Sequence, residues 1–242
     1  MCPFYQIGSE RFSSYITFNY LGFLALIIYI YPKLTRIEKF GQFDSELYIL
    51  GLFATQPIGG QIIPFIYKWY FIGHFPQSEL GSAGRYFHSA LLTAVAYTII
   101  YCKIKKWPTK RILDYLAISA CLMSAIGRIG CFLGGCCGGK PTDLPWGVRF
   151  PRETFHIHPT QLYHFGFEFF ILFPLLIWIN NRKRFEGETF WMFIWIYSFF
   201  RFWIEFIRMN PVAWADLTHA QIFSAIAVFV SGIILIKHKE DH

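Results

Sequence analysis

Seven separate apolar runs, each close to the length that crosses a bilayer, constrain this chain more than any other feature. They cover residues 15–31, 47–67, 86–101, 112–133, 162–179, 190–207 and 222–236. A helix needs about 20 residues to cross a hydrocarbon core of about 30 Å. It is also one of only two ways to satisfy every backbone polar group there. The pattern predicts an all-α polytopic membrane protein with about seven transmembrane helices. Composition agrees, because only 15% of the residues are charged, against about 25% in soluble domains. The mean hydropathy is +0.38. The first run lacks the short apolar core and small-residue cleavage site of a signal peptide, so it reads as a retained helix. The second is weaker, since Pro57 and Pro64 fall inside it and would kink or break a helix.

The net charge of +7 comes as short clusters between apolar runs, which argues against a nucleic-acid stripe and for topology determinants. Thirteen of the 22 Lys and Arg residues follow the first, third, fifth and seventh runs, for example Lys33, Lys103, Arg182 and Lys237. By the positive-inside rule the N-terminus lies outside and the C-terminus in the cytoplasm. Residues 134–159 then form an outer-face loop or cap after the fourth helix. Without an internal repeat, low-complexity segment or P-loop, residues 1–242 read as a single transmembrane domain.

Charges inside the apolar runs are the candidates for function, because such residues usually face a cavity or a partner. Arg201, Glu205 and Arg208 are spaced four and three apart, which puts them on one helical face where Glu205 can pair with both arginines. Arg128 lies near the outer end of the fourth run and His88 near that of the third. Cations converging at headgroup depth suit a lipid phosphate, which arginine holds with its planar fork. A salt-bridge ladder that only fixes packing is the competing reading. Cys102 and Cys121 fit as small packing residues. For Cys131, Cys136 and Cys137 a disulfide, close-packed thiols and a reactive thiol all remain open. Their spacing resembles no zinc knuckle, so no metal and no cofactor are expected.

The motifs resemble those of the bacterial prolipoprotein diacylglyceryl transferase family from about Tyr20 to Ser224. That family's signature, G-R-x-G-N-F-x-N-x-E-x-x-G-R-P-T, is met here by Gly127, Arg128, Gly130 and Phe132, then Gly139, Lys140, Pro141 and Thr142. "LPWGVRFP", "HPTQLY", "FRFWIEFIR" and "THAQIFS" follow in order. Cys131 and Gly134 stand in place of the family's two asparagines and Cys136 in place of its acidic residue. His88-Ser89-Ala90 replaces His-Gly-Gly, Gln61 stands where the family tends to have Arg, and His164 where it usually has Glu. The chain is similar to a diverged branch.

The resemblance implies a multi-pass enzyme of the bacterial cell (inner) membrane. Such an enzyme transfers the diacylglyceryl group of phosphatidylglycerol to the lipobox cysteine thiol of a secreted prolipoprotein. It implies catalytic roles for Arg128 and Arg201 on the headgroup phosphate, for Glu205 in orienting an arginine, and for His88 as base or orienter. It further implies that substrate is bound by Tyr20, Cys131, Gly135 and Cys136 beside Arg128. Gln161, Tyr163 and Arg208 join Arg201 in that role. The partners implied are phospholipid, prolipoprotein and membrane, with no nucleic acid. Two other classes compete: a membrane thiol-disulfide oxidoreductase using the outer cysteines, and a non-catalytic lipid-binding or transport protein.

Overall fold

The fold is that of a computed structural model, which describes residues 4–7, 9–62, 87–150, 153–210, 212–214 and 216–240. The chain opens with a hairpin of β1 (Phe4–Ile7) and β2 (Glu10–Ser13), paired antiparallel so that Tyr5 faces Phe12. Helices follow: α1 (Ser14–Pro32), α2 (Gln42–Pro57), α3 (Phe87–Lys105) and α4 (Thr109–Leu133). Then come α5 (Thr160–Arg182), α6 (Glu188–Ile204) and α7 (His219–Glu240). A second hairpin, β3 (Val212–Trp214) with β4 (Leu217–Thr218), joins α6 to α7.

Among the described residues five helices are long and apolar enough to cross a membrane: Ser14–Ile37, Thr109–Leu133, Thr160–Arg182, Glu188–Ile207 and His219–His238. They coincide with the first, fourth, fifth, sixth and seventh expected spans. The expected spans 47–67 and 86–101 are helical where described, as α2 and α3, but both run into residues 63–86, outside the described residues. Pro57 ends α2, and the chain continues as one wide π turn, Ile58–Ile62. That is the helix disturbance expected of a proline without an N–H to donate.

The chain divides into two compact units. One comprises 27–115. There α2 packs on α3 through aromatic side chains whose hydroxyls are all used: Tyr48 bonds Thr98 at 2.9 Å, and Tyr101 donates to the Asp44 carbonyl at 2.7 Å. Phe40 stacks on Trp107, with ring centroids 3.9 Å apart.

The other unit comprises 1–26 and 116–242 and holds the charged residues singled out by the sequence. Here α1 and α4 approach closely. A Cβ on Gly130 would lie 2.8 Å from the Phe18 side chain, so only a small residue lets these backbones meet. The end of α4 is set by hydrogen bonding: Cys136 N–H reaches the Cys131 carbonyl at 3.1 Å and Gly135 N–H the Phe132 carbonyl at 3.2 Å, with Gly135 at φ +70°. These two bonds and the left-handed glycine are a Schellman cap. Past it, Lys140 and Thr142 pair with His158 and His156, and Val148 exchanges both backbone bonds with Ile157. This ribbon buries Phe150 and Ile157. Thr218 and Gln221 cap α7 reciprocally: Thr218 N–H donates to Gln221 Oε1 at 2.9 Å, and Gln221 N–H to Thr218 Oγ1 at 3.2 Å. A capping box satisfies two helix-end donors that would otherwise be orphaned.

Candidate active site

Three buried arginines from two helix ends form the centre of the unit that holds 116–242. Arg128 sits in the last two turns of α4. Its Nε is 3.9 Å from Glu168 Oε1, and its Nη2 donates to the Tyr197 hydroxyl at 3.5 Å. Glu168 is fully buried and also meets His164 Nδ1 at 3.1 Å, one turn earlier on α5. It lies in a π-helical stretch, Phe167–Leu172, a widened turn that is common at functional positions.

Glu205 anchors the second group. Its Oε2 lies 2.6 Å from Arg201 Nη1 and 3.4 Å from Arg208 Nε. Its Oε1 accepts from Asn210 Nδ2 and, at 3.2 Å, from Thr218 Oγ1. The helix tightens to a 3-10 turn at Glu205–Ile207, which keeps the three-residue spacing from Glu205 to Arg208 on one face. The two groups interact electrostatically: Arg201 feels Arg128, Tyr197 and Arg208, and Glu168 feels Arg201. Among the described residues three guanidiniums thus face two carboxylates. The cluster's guanidiniums outnumber its carboxylates in an interior that penalises unpaired charge.

The cap supplies the remaining contacts through its backbone. Arg208 Nη1 donates to the Cys137 carbonyl at 3.3 Å, and so does Thr160 Oγ1 at 2.8 Å. Gln161 Nε2 donates to the Cys136 carbonyl, while its Oε1 is buried with no hydrogen-bond partner among the described residues. The Cys131 and Cys136 side chains lie against the Cys137 sulfur, with Arg208 and Arg128 near it; together these hold its thiol well below the usual range against the opposing effect of burial.

Of the site residues expected from sequence, Arg128, Arg201, Glu205, Arg208, Gln161, Cys131, Gly135 and Cys136 all belong to this unit. Arg201, Glu205 and Arg208 meet directly, whereas Arg128 pairs with Glu168 instead. Tyr163 stands at the rim, where its hydroxyl accepts from Trp146 Nε1 at 2.8 Å and meets His158 Nδ1 at 3.3 Å. Tyr20 is 58% exposed on α1 and is therefore not part of the buried cluster. His88 lies in the first turn of α3, and its side chain is outside the described residues. Sequence reading passed over Glu168 and Tyr197. A lone carboxylate in "HFGFEFFILF", four residues after a histidine, carried the same intramembrane signal as Arg201.

The profile of the prolipoprotein diacylglyceryl transferase family matches residues 4–237. The chain belongs to that family. It is 32% identical over 225 residues to the phosphatidylglycerol–prolipoprotein diacylglyceryl transferase of Clostridium tetani, covering 89% of this chain and 88% of the relative. The enzymes of the same name from Geobacter sulfurreducens and Finegoldia magna are 31% and 30% identical, covering 85% and 86% of this chain and 81% and 84% of the relatives.

Proposed function

We propose that the chain is a phosphatidylglycerol–prolipoprotein diacylglyceryl transferase whose headgroup site is the arginine cluster. The observation that carries this reading is the gathering of three buried guanidiniums, Arg128, Arg201 and Arg208, whose carboxylate partners among the described residues are Glu168 and Glu205. A phosphodiester would accept the bidentate donors that arginine offers. In the reaction a C–S bond forms between the acceptor cysteine and the glyceryl carbon as the bond from that carbon to the phosphate oxygen breaks. Glycerol phosphate leaves. The thiol must lose its proton to attack, and the developing charge on the leaving phosphate needs preorganised cations. Glu205 and Glu168 act as positioning residues for those cations, while the role of base or orienter that the family resemblance gives His88 rests on that resemblance alone.

In this reading residues 1–242 are one membrane domain of the bacterial inner membrane. The N-terminus lies outside, the C-terminus is cytoplasmic, and 134–159 form an outer cap over the lipid. Trp146 and Tyr163 suit the interface, where amphipathic rings favour headgroups. Cys131, Gly135, Cys136 and Gln161 line the approach from the cap, with Tyr20 on the lipid-facing side.

The test is a two-substrate assay with the purified chain in mixed micelles containing phosphatidylglycerol and a lipobox peptide. Release of glycerol phosphate with a matching thioether on the peptide is expected. Release without modified peptide would remove the acceptor assignment. No release, together with failure to rescue a strain depleted of its own diacylglyceryl transferase, would remove the reaction.

A further inference from the structure

Cys131, Cys136 and Cys137 place their three sulfurs within 4.8 Å of one another, and all three are free thiols. The linear spacing does not announce this. It results from the way α4 ends: the Schellman cap turns the chain back at Gly135, and Cys137 then adopts φ +65°. A left-handed backbone is sterically disfavoured on a residue with a Cβ. Two left-handed residues within three positions turn the sulfurs of the helix end and of the loop toward one point.

The surroundings suit a charged thiolate group. Phe150 and Ile157, both buried, cover this turn from the cap, while Arg128 and Arg208 lie within electrostatic range of the Cys137 sulfur. Among the described residues no carboxylate or imidazole joins the group of three. An all-sulfur donor set disfavours hard cations such as Mg²⁺ and Ca²⁺, which take oxygen ligands, and favours soft or borderline d¹⁰ ions. With a metal–sulfur bond of about 2.3 Å, sulfurs around one ion stand roughly 3.8–4.0 Å apart, so no pair here needs to close by more than about 1 Å.

We propose that Cys131, Cys136 and Cys137 form a three-thiolate site for a single thiophilic d¹⁰ metal ion, Zn(II) or Cu(I). The ion displaces the thiol protons to solvent and undergoes no change of oxidation state. Three sulfurs complete a trigonal Cu(I) site, whereas Zn(II) takes a fourth, exogenous ligand. Its consequence reaches the arginines. The carbonyls of Cys136 and Cys137 receive Gln161, Thr160 and Arg208, so a metal clip on these sulfurs fixes the turn that holds Arg208. The site itself does not depend on the lipid reading of the arginine cluster.

The test uses the full chain, purified under reducing conditions in detergent and loaded with Zn(II) or with Cu(I) delivered from a coloured chelator. One equivalent should survive desalting. Co(II) in place of Zn(II) should give thiolate-to-metal charge-transfer absorption. Cys131→Ser, Cys136→Ser and Cys137→Ser should each abolish retention, and Cys121→Ser should not. Because a serine variant can misfold, a second measurement uses the unaltered protein. Bound metal should protect these three cysteines, and not Cys102, from alkylation read by peptide mass spectrometry. Retention of only one of the two metals identifies the resident ion and supports the site. Retention unchanged in all three serine variants overturns it. Absence of protection at full metal loading overturns it as well, as does a disulfide among the three in protein quenched at cell lysis.

Discussion

Arg201 Nη1 lies 2.6 Å from Glu205 Oε2, one helical turn along the same face. That carboxylate is also 3.4 Å from Arg208, so it holds two guanidiniums at once with its own side chain fully buried. Removing it leaves two cations facing each other in a low-dielectric interior, whereas removing either arginine leaves the carboxylate one partner. Glu205→Ala should therefore be the most damaging single change in the cluster, destabilising by about 3–5 kcal/mol. Thermal unfolding in detergent and abundance in membranes check this, and Glu205→Gln should recover part of the loss because it still accepts from Thr218.

Arg201→Lys separates charge from geometry. The ammonium preserves the pairing charge with Glu205 but not the planar fork, so folding should be nearly unchanged. Turnover should fall by at least tenfold, about 1.4 kcal/mol of transition-state stabilisation. Equal loss of turnover and of folded protein would favour the packing ladder over the phosphate site.

Glu168→Gln tests the group that sequence reading missed. The amide still fills the space and can accept from His164, but it no longer neutralises Arg128. Catalysis should drop through misplacement of Arg128, with melting shifted by only a few degrees. Glu168→Ala should shift it further, because the truncation also leaves a cavity and takes away the acceptor facing His164.

What was legible beforehand follows from which contacts are local. The Arg201–Glu205–Arg208 ladder was readable because spacings of four and three survive on any helix, and the 3-10 turn at Glu205–Ile207 does not disturb them. The boundaries of α4, α5, α6 and α7 lie within a few residues of the apolar runs for the same reason. Arg128 finding Glu168 was not readable, since it requires knowing which faces of α4 and α5 meet. Convergence of Cys131 with Cys136 and Cys137 depends on two left-handed residues, of which only Gly135 advertises itself by type. The second and third spans were the least legible, because Pro57 interrupts the one and residues 63–86 separate them.

Topology gives a test independent of any side chain. With thirteen cations on one side of the expected spans, a reporter fused after His242 should remain cytoplasmic, and one inserted near Thr142 should report outside. The opposite pattern would put the cap and the arginines on the wrong side for a secreted acceptor.

The thiols beside the arginines raise a last question, which is whether any of them carries lipid during turnover. Cys137 has the features of a nucleophile, its thiol held low by the neighbouring Cys131 and Cys136 side chains and by Arg208 and Arg128. A direct transfer does not need it, because the acceptor peptide brings its own thiol, and a thioether formed on the enzyme has no good leaving group to pass the lipid on. Protein quenched with acid during steady turnover should therefore show all three cysteines free of diacylglyceryl by intact-mass and peptide mass spectrometry, while modified acceptor peptide accumulates. The control is peptide omission: phosphatidylglycerol alone should also leave them unmodified over the same period. A stable mass addition of one diacylglyceryl group on Cys131, Cys136 or Cys137 would place the nucleophile on the enzyme. It would make the arginine cluster the phosphate site for a first transfer whose acceptor is this chain.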